Sequence, residues 1–132
     1  MKTLNKYPEV LAVYRFGSYV YGKNSKLSDT DIGVILNKPE ILSNAKKTLS
    51  LYEDLYDIFA PFAAKTKKLD LVFLQKTPLS LQKDVLLNGE LIHCQNREKL
   101  AEYKEKLLLK YADIKPVLDE FYDQVFTTRL AT

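Results

Sequence analysis

Three aspartates and a Gly-Ser pair are the residues whose types and spacing could do chemistry. Gly17-Ser18 is followed, ten residues later, by Asp29-Thr30-Asp31, and Asp70 lies inside the apolar run KLDLVFL at 68–74. On a strand, successive side chains alternate faces, so Asp29 and Asp31 share one face, roughly 7 Å apart. Thr30, Ile32, Val34 and Leu36 take the other face and are apolar enough to be core. Two carboxylates on one face repel unless a cation lies between them. Hard divalent ions such as Mg²⁺ bind carboxylate and phosphate oxygens together. The structural alternative is an Asp-x-Asp at an exposed strand end or turn. A charge inside an apolar strand is costly to bury unless it is paired or metal-bound, so Asp70 is the third candidate ligand, the alternative being a pair with Lys67 or Lys68. A Gly at a strand-to-helix turn lets backbone approach a phosphate closely, and N–H groups at a helix start attract anions. Gly17 and Ser18 are therefore candidate phosphate binders, the alternative being a plain small-residue turn.

The elements that must position these residues follow from pattern. LAVYRF (11–16) is apolar, aromatic and β-branched and stops at Gly17-Ser18; DIGVIL (31–36) stops at Asn37-Lys38-Pro39; both read as strands. Residues 19–28 suit a helical turn and a loop. Apolar residues at 41, 42, 45, 49, 52, 55, 56 and 59 predict a helix from about 40 to 59, ended by Pro61. KLDLVFL is the third strand, Thr77-Pro78 opens a helix to about 87 as N-cap and first residue, and ELIHC (90–94) is a fourth strand after Asn88-Gly89. Asn96 caps a helix over about 97–111, and Asp113 caps another with Pro116 in its first turn. Leu100, Tyr103, Leu107, Tyr111, Ile114, Leu118, Phe121 and Val125 form a stripe at three- and four-residue steps that must bury against something. Strands alternate with helices early and helices dominate late. The fold class expected is α+β, a small mixed β-sheet flanked by helices with a C-terminal helical segment.

Composition narrows the function classes. At 132 residues the chain is one domain's worth, and 46% hydrophobic with 28% charged is a globular balance rather than a disordered one. A single cysteine, Cys94, excludes an internal disulfide framework. No apolar run is long enough to span a bilayer, MKTLNKYPEV lacks a secretory h-region, and a cytoplasmic location is expected with no membrane partner. A net charge of +3 is mild, and no direct nucleic-acid binding is expected. Gly17 to Asn24 nearly matches a P-loop, but Asn24 lacks the hydroxyl that would ligate Mg²⁺ and NSKLSD favours a turn over the required helix. His93 and Cys94 are too few for a zinc site and read as structural. Glu53, Asp54 and Asp57 read as the solvated face of their helix.

RFGSYVYGKNSKLSDTDIGVIL resembles the G-S-x10-D-x-D signature of the DNA polymerase β-like nucleotidyltransferase superfamily, in its minimal nucleotidyltransferase (MNT) branch, over roughly residues 10–94. The segment 77–94, and the tail with KYADI at 110–114, are similar to MntA-like antitoxins paired with HEPN-domain toxins. The chain departs from the pattern at Tyr21, Thr30 and Gly33, where Arg, Ile and Leu are more usual; Gly33 lies on the carboxylate face, where it widens the pocket or loosens the strand. The resemblance implies a polymerase β-like core at 1–95 and a helical segment at 96–132 that packs on it and offers a surface to a partner. It implies that Asp29, Asp31 and Asp70 are catalytic and hold two Mg²⁺ ions, and that Gly17, Ser18 and Lys23 bind the triphosphate. The activity implied is transfer of AMP from ATP, the nucleoside triphosphate substrate, to a tyrosine hydroxyl of a cognate HEPN ribonuclease toxin. An aminoglycoside-type small-molecule nucleotidyltransferase and a binding-only antitoxin are the alternatives.

Overall fold

The computed structural model describes residues 2–17, 30–63 and 68–131. A four-stranded sheet, ordered β3-β2-β1-β4, carries the architecture. Its strands are β1 (Val10–Phe16), β2 (Thr30–Leu36), β3 (Leu69–Phe73) and β4 (Glu90–Cys94). β1 runs antiparallel to β2 and to β4, while β2 and β3 are parallel. Parallel neighbours need a crossover, supplied here by α1 (Ala45–Phe59). α2 (Leu79–Asn88) and α3 (Arg97–Ala131) cover the other face. This is the mixed α+β arrangement read from the sequence.

Alternation along the strands divides the core in two. Val10, Val13, Ile32, Val34, Leu69, Leu71 and Phe73 pack against Leu51, Leu55 and Phe59 of α1. Leu11, Tyr14 and Ile35 pack against Leu74, Val85, Leu86, Leu100 and Leu107 on the α2–α3 side. A 3₁₀ turn at Lys2–Lys6, which no local pattern predicts, drops Leu4 into the first cluster at 1% exposure.

Four local expectations are corrected. The helix expected from about 40 begins as a 3₁₀ turn at Pro39–Ser43, because the Asn44 side chain caps the α-helix proper by accepting from the Lys47 amide at 3.1 Å. Thr77 does not cap α2: its hydroxyl donates to the Leu74 carbonyl at 2.7 Å, and Pro78 takes the cap position with no side-chain bond. The two tail helices are one, α3, running unbroken through Asp113 with Pro116 inside it. Ala112 and Pro116 are both exposed, so water can satisfy the carbonyl that Pro116 leaves without a donor, and Lys115 pairs with Asp119 at 2.6 Å across the proline. Finally, Asp70 is exposed, so no burial cost attaches to it. Asn96 does cap α3, accepting from the Lys99 amide at 3.1 Å.

The α2–α3 packing is fixed by one polar relay inside the apolar cluster. Tyr103 Oη donates to Gln82 Oε1 at 2.6 Å, and Gln82 Nε2 donates to the Thr77 carbonyl at 2.9 Å. Burial pushes the Tyr103 phenol up to about 12. His93 and Cys94 are half-buried in β4, and loss of hydration holds the His93 imidazole below its ordinary value.

Candidate active site at one end of the sheet

Strand register brings the chemistry together. β2 and β3 pair with Asp31 opposite Asp70, and β1 and β2 pair with Phe16 opposite Asp31. Directly opposed residues share a face, so Phe16, Asp31 and Asp70 line up across three adjacent strands spaced about 4.8 Å apart. This is the α2–α3 face of the sheet, at the edge of its apolar cluster. Thr30, one residue earlier, opens the β2–β3 ladder by donating its amide to the Lys68 carbonyl at 2.9 Å.

Gly17 closes this row from β1. Its φ is +88°, in the left-handed region that only glycine enters freely. A Cβ there would fall within the Asp31 carboxylate, 2.9 Å from Cγ and 3.3 Å from Cβ. Both the backbone conformation and the space therefore demand glycine, and what fills the space is the Asp31 side chain. Asp31 is half-buried and Asp70 exposed, so the pair opens to solvent on the β3 side. Ser18, Lys23 and Asp29 lie outside the described residues.

Behind the carboxylates the same face is sealed. Gly33 lies opposite Tyr14 on β1 and Val72 on β3. The space a Gly33 side chain would take is filled by Leu74, whose side-chain carbons would lie 3.0–3.1 Å from an added Cβ and which is fully buried. The missing side chain at Gly33 thus admits Leu74 rather than widening a pocket. Neither Phe16 as a neighbour of Asp31 nor Leu74 as the plug was legible before the register was known.

Sequence comparison decides what this row of residues belongs to. The polymerase beta nucleotidyltransferase profile matches residues 1–98, three-quarters of the chain and every strand of the sheet. The chain belongs to the polymerase beta nucleotidyltransferase family. Comparison with curated proteins gives no match. Among solved structures, this nucleotidyltransferase resembles a chain of a toxin–antitoxin crystal structure with AMP-PNP, at 21% identity and a TM-score of 0.68, over 95% of this chain and 94% of that one. It is also similar to a chain of the toxin–antitoxin MntA-HepT structure, at 19% identity and a TM-score of 0.62, over 95% and 92%. A third similar chain comes from the tri-AMPylated Shewanella oneidensis HEPN toxin in complex with MNT antitoxin, at 19% identity and a TM-score of 0.62, over 92% and 87%. All three come from toxin–antitoxin structures, and the likeness in fold, over 92–95% of this chain, extends into α3.

The donor set in place suits a hard cation. Asp31 and Asp70 offer carboxylate oxygens from neighbouring strands, open to solvent at Asp70, which is the chemistry Mg²⁺ selects when it also keeps water and phosphate ligands. Among the described residues, no three His, Cys, Asp or Glu side chains gather into a metal-holding group. Among the same residues, no helix is long and apolar enough to cross a membrane.

Proposed function

We propose that this nucleotidyltransferase is the antitoxin of a toxin–antitoxin pair and transfers AMP from ATP to a tyrosine hydroxyl of a cognate HEPN-domain toxin. The observation that carries the reading is the in-register pairing of Asp31 with Asp70 beside the glycine turn at the end of β1. The toxin as acceptor is supported by the antitoxins this chain resembles, one of them bound to an AMPylated HEPN toxin. The nucleotide is supported by the AMP-PNP present in another of those structures.

In this reading Asp29, Asp31 and Asp70 hold two magnesium ions, while Gly17, Ser18 and Lys23 hold the triphosphate. Magnesium supplies neutralisation of triphosphate charge and a more acidic acceptor hydroxyl. Asp31, fixed against Gly17, sets where the α-phosphorus lies. Asp70, at the solvent-open side of the row, faces the incoming acceptor and takes its proton. The tyrosine oxygen then bonds to the α-phosphorus, the bond from that phosphorus to the bridging oxygen breaks, and pyrophosphate leaves with the electron pair. The protein's share is placement and charge, as in other phosphoryl transfers. We place the chain in the cytoplasm, where ATP and magnesium are both abundant.

Incubation of the chain with ATP, Mg²⁺ and the protein encoded next to it, followed by intact mass spectrometry, tests this. The expected result is an AMP-sized gain on that neighbour, absent with Asp29→Ala, Asp31→Ala or Asp70→Ala. Neutralisation of the neighbour without any mass gain, surviving all three substitutions, would replace transfer with simple contact. Modification of an aminoglycoside in place of the neighbour would replace the acceptor.

A further inference from the structure

Two surfaces away from the carboxylates complement one another. On the α1 side, a cavity of about 430 Å³ lies between α1, the Pro39–Ser43 turn and edge strand β3, lined mainly by Leu42, Ala45, Leu49, Tyr52, Phe73 and Lys76. Lys76 is the charged side chain among its lining residues, and the adjoining first turn of α1 carries Lys46 with no acid; Lys47 lines a different cavity, and Glu53 follows Leu49 by one turn. Two apolar side chains at or beside this groove stand open: Leu49 is 58% exposed and Tyr56, two turns further along α1, 37%.

The second surface is the outer half of α3. Leu100 and Leu107 are buried on the α2 side, but the continuing stripe emerges, with Ile114 40%, Val117 63% and Phe121 57% exposed. This half is acidic. Residues 112–131 hold Asp113, Asp119, Glu120 and Asp123 against Lys115 and Arg129, whereas residues 1–111 hold 18 Lys and Arg against 13 Asp and Glu. An apolar stripe with acidic flanks thus sits on a basic body that bears an apolar, lysine-edged groove. The two cannot meet within one molecule. α3 packs on α2 and β1, on the face opposite the groove, and runs on unbroken to Ala131 with no turn to bring it round the sheet.

We propose that two copies of the chain associate reciprocally, the outer half of α3 of each seated in the α1 groove of the other. A two-fold arrangement closes with two such contacts, which helps it reach the roughly 1,200 Å² of total buried surface that stable association needs. The acid-to-lysine match across each contact gives the pairing its register and its sensitivity to salt. This association does not depend on nucleotide transfer, and the test contains no nucleotide.

Sedimentation velocity on the full chain at low salt and sub-millimolar concentration is expected to show a dimer that weakens as salt rises. Val117→Asp and Leu49→Asp, both at exposed positions, should each give a monomer with unchanged helicity by circular dichroism. Glu120→Lys and Lys76→Glu should each weaken association by about tenfold. An equal mixture of those two variants should restore it, since both contacts of the mixed pair again oppose unlike charges. A chain that is monomeric throughout, a dimer indifferent to Val117 and Leu49, or a mixture that fails to recover overturns the proposal.

Discussion

Replacing Gly17 by alanine separates two demands that the structure places on one residue. The first is conformational: φ is +88°, and a side chain in the left-handed region costs about 1–2 kcal/mol. The second is steric: the new Cβ falls within the Asp31 carboxylate. Overpacking of this kind costs about 1–3 kcal/mol. Because Asp31 is only half-buried it can swing toward solvent, which favours the lower end. The two together predict a loss of about 2–4 kcal/mol for Gly17→Ala in urea unfolding. A double-mutant cycle with Asp31→Ala then isolates the steric part. With the carboxylate gone, only the Cβ–Cβ approach of 3.3 Å remains, and the loss from Gly17→Ala should shrink to the conformational 1–2 kcal/mol or so. The coupling expected is about 1–2 kcal/mol, well above the roughly 0.5 kcal/mol within which independent sites add. Nucleotidyl transfer by Gly17→Ala should fall as well, since Asp31 is displaced to make room. Strict additivity in the cycle, or a Gly17→Ala variant as stable and active as the parent, would refute the reasoning.

Three further outcomes are expected. Asp70→Asn should lower transfer by about a hundredfold or more by mass-spectrometric rate, yet leave unfolding unchanged or slightly harder, because an exposed member of a like-charged pair is neutralised. Tyr103→Phe removes the donor to Gln82 Oε1 and should destabilise the chain by about 1–3 kcal/mol. The Tyr103 phenol stands at about 12 against an ordinary 10.0, so the folded state favours its protonated form. That contribution is complete below pH 10 and is lost as pH rises toward 12, so urea midpoints of the parent should fall more across this window than those of Tyr103→Phe. Gly33→Ala drives a methyl to within 3.0–3.1 Å of Leu74 and should cost about 1–3 kcal/mol by thermal unfolding, with Leu74→Ala partly restoring the double variant.

The parts of the fold that were legible are those written in local pattern. The strands stood out as apolar runs, the first two ended by Gly-Ser and Asn-Lys-Pro and the fourth preceded by Asn-Gly, and the Asn96 cap as a polar residue ahead of a periodic stripe. Asp70 was misread because KLDLVFL is apolar overall, whereas Leu69, Leu71 and Phe73 all belong to the α1 face and Asp70 to the other. Sequence gives the two faces of a strand but not which is covered at a given residue. The break at Asp113 failed for a related reason. Proline disrupts a helix by orphaning a carbonyl, and that penalty is small where water reaches it, which depends on tertiary exposure.

The candidate site was legible as composition but not as arrangement, and what arranges it is the single parallel pairing in the sheet. β1 ends, and β2 and β3 begin, at the same edge, because β1 is antiparallel to β2 while β3 is parallel to it. Had β3 run antiparallel over the same span of β2, its second residue, Asp70, would lie opposite Gly33, two residues or about 7 Å from Asp31 along the strands. The crossover helix prevents this. α1 buries Leu51, Leu55 and Phe59 against the sheet face opposite the carboxylates, which holds β3 in parallel register. Its apolar face therefore reaches the chemistry indirectly, through strand direction: α1 packs on the sheet face opposite the aspartates, yet it sets the sheet edge at which Asp70 emerges beside Asp31.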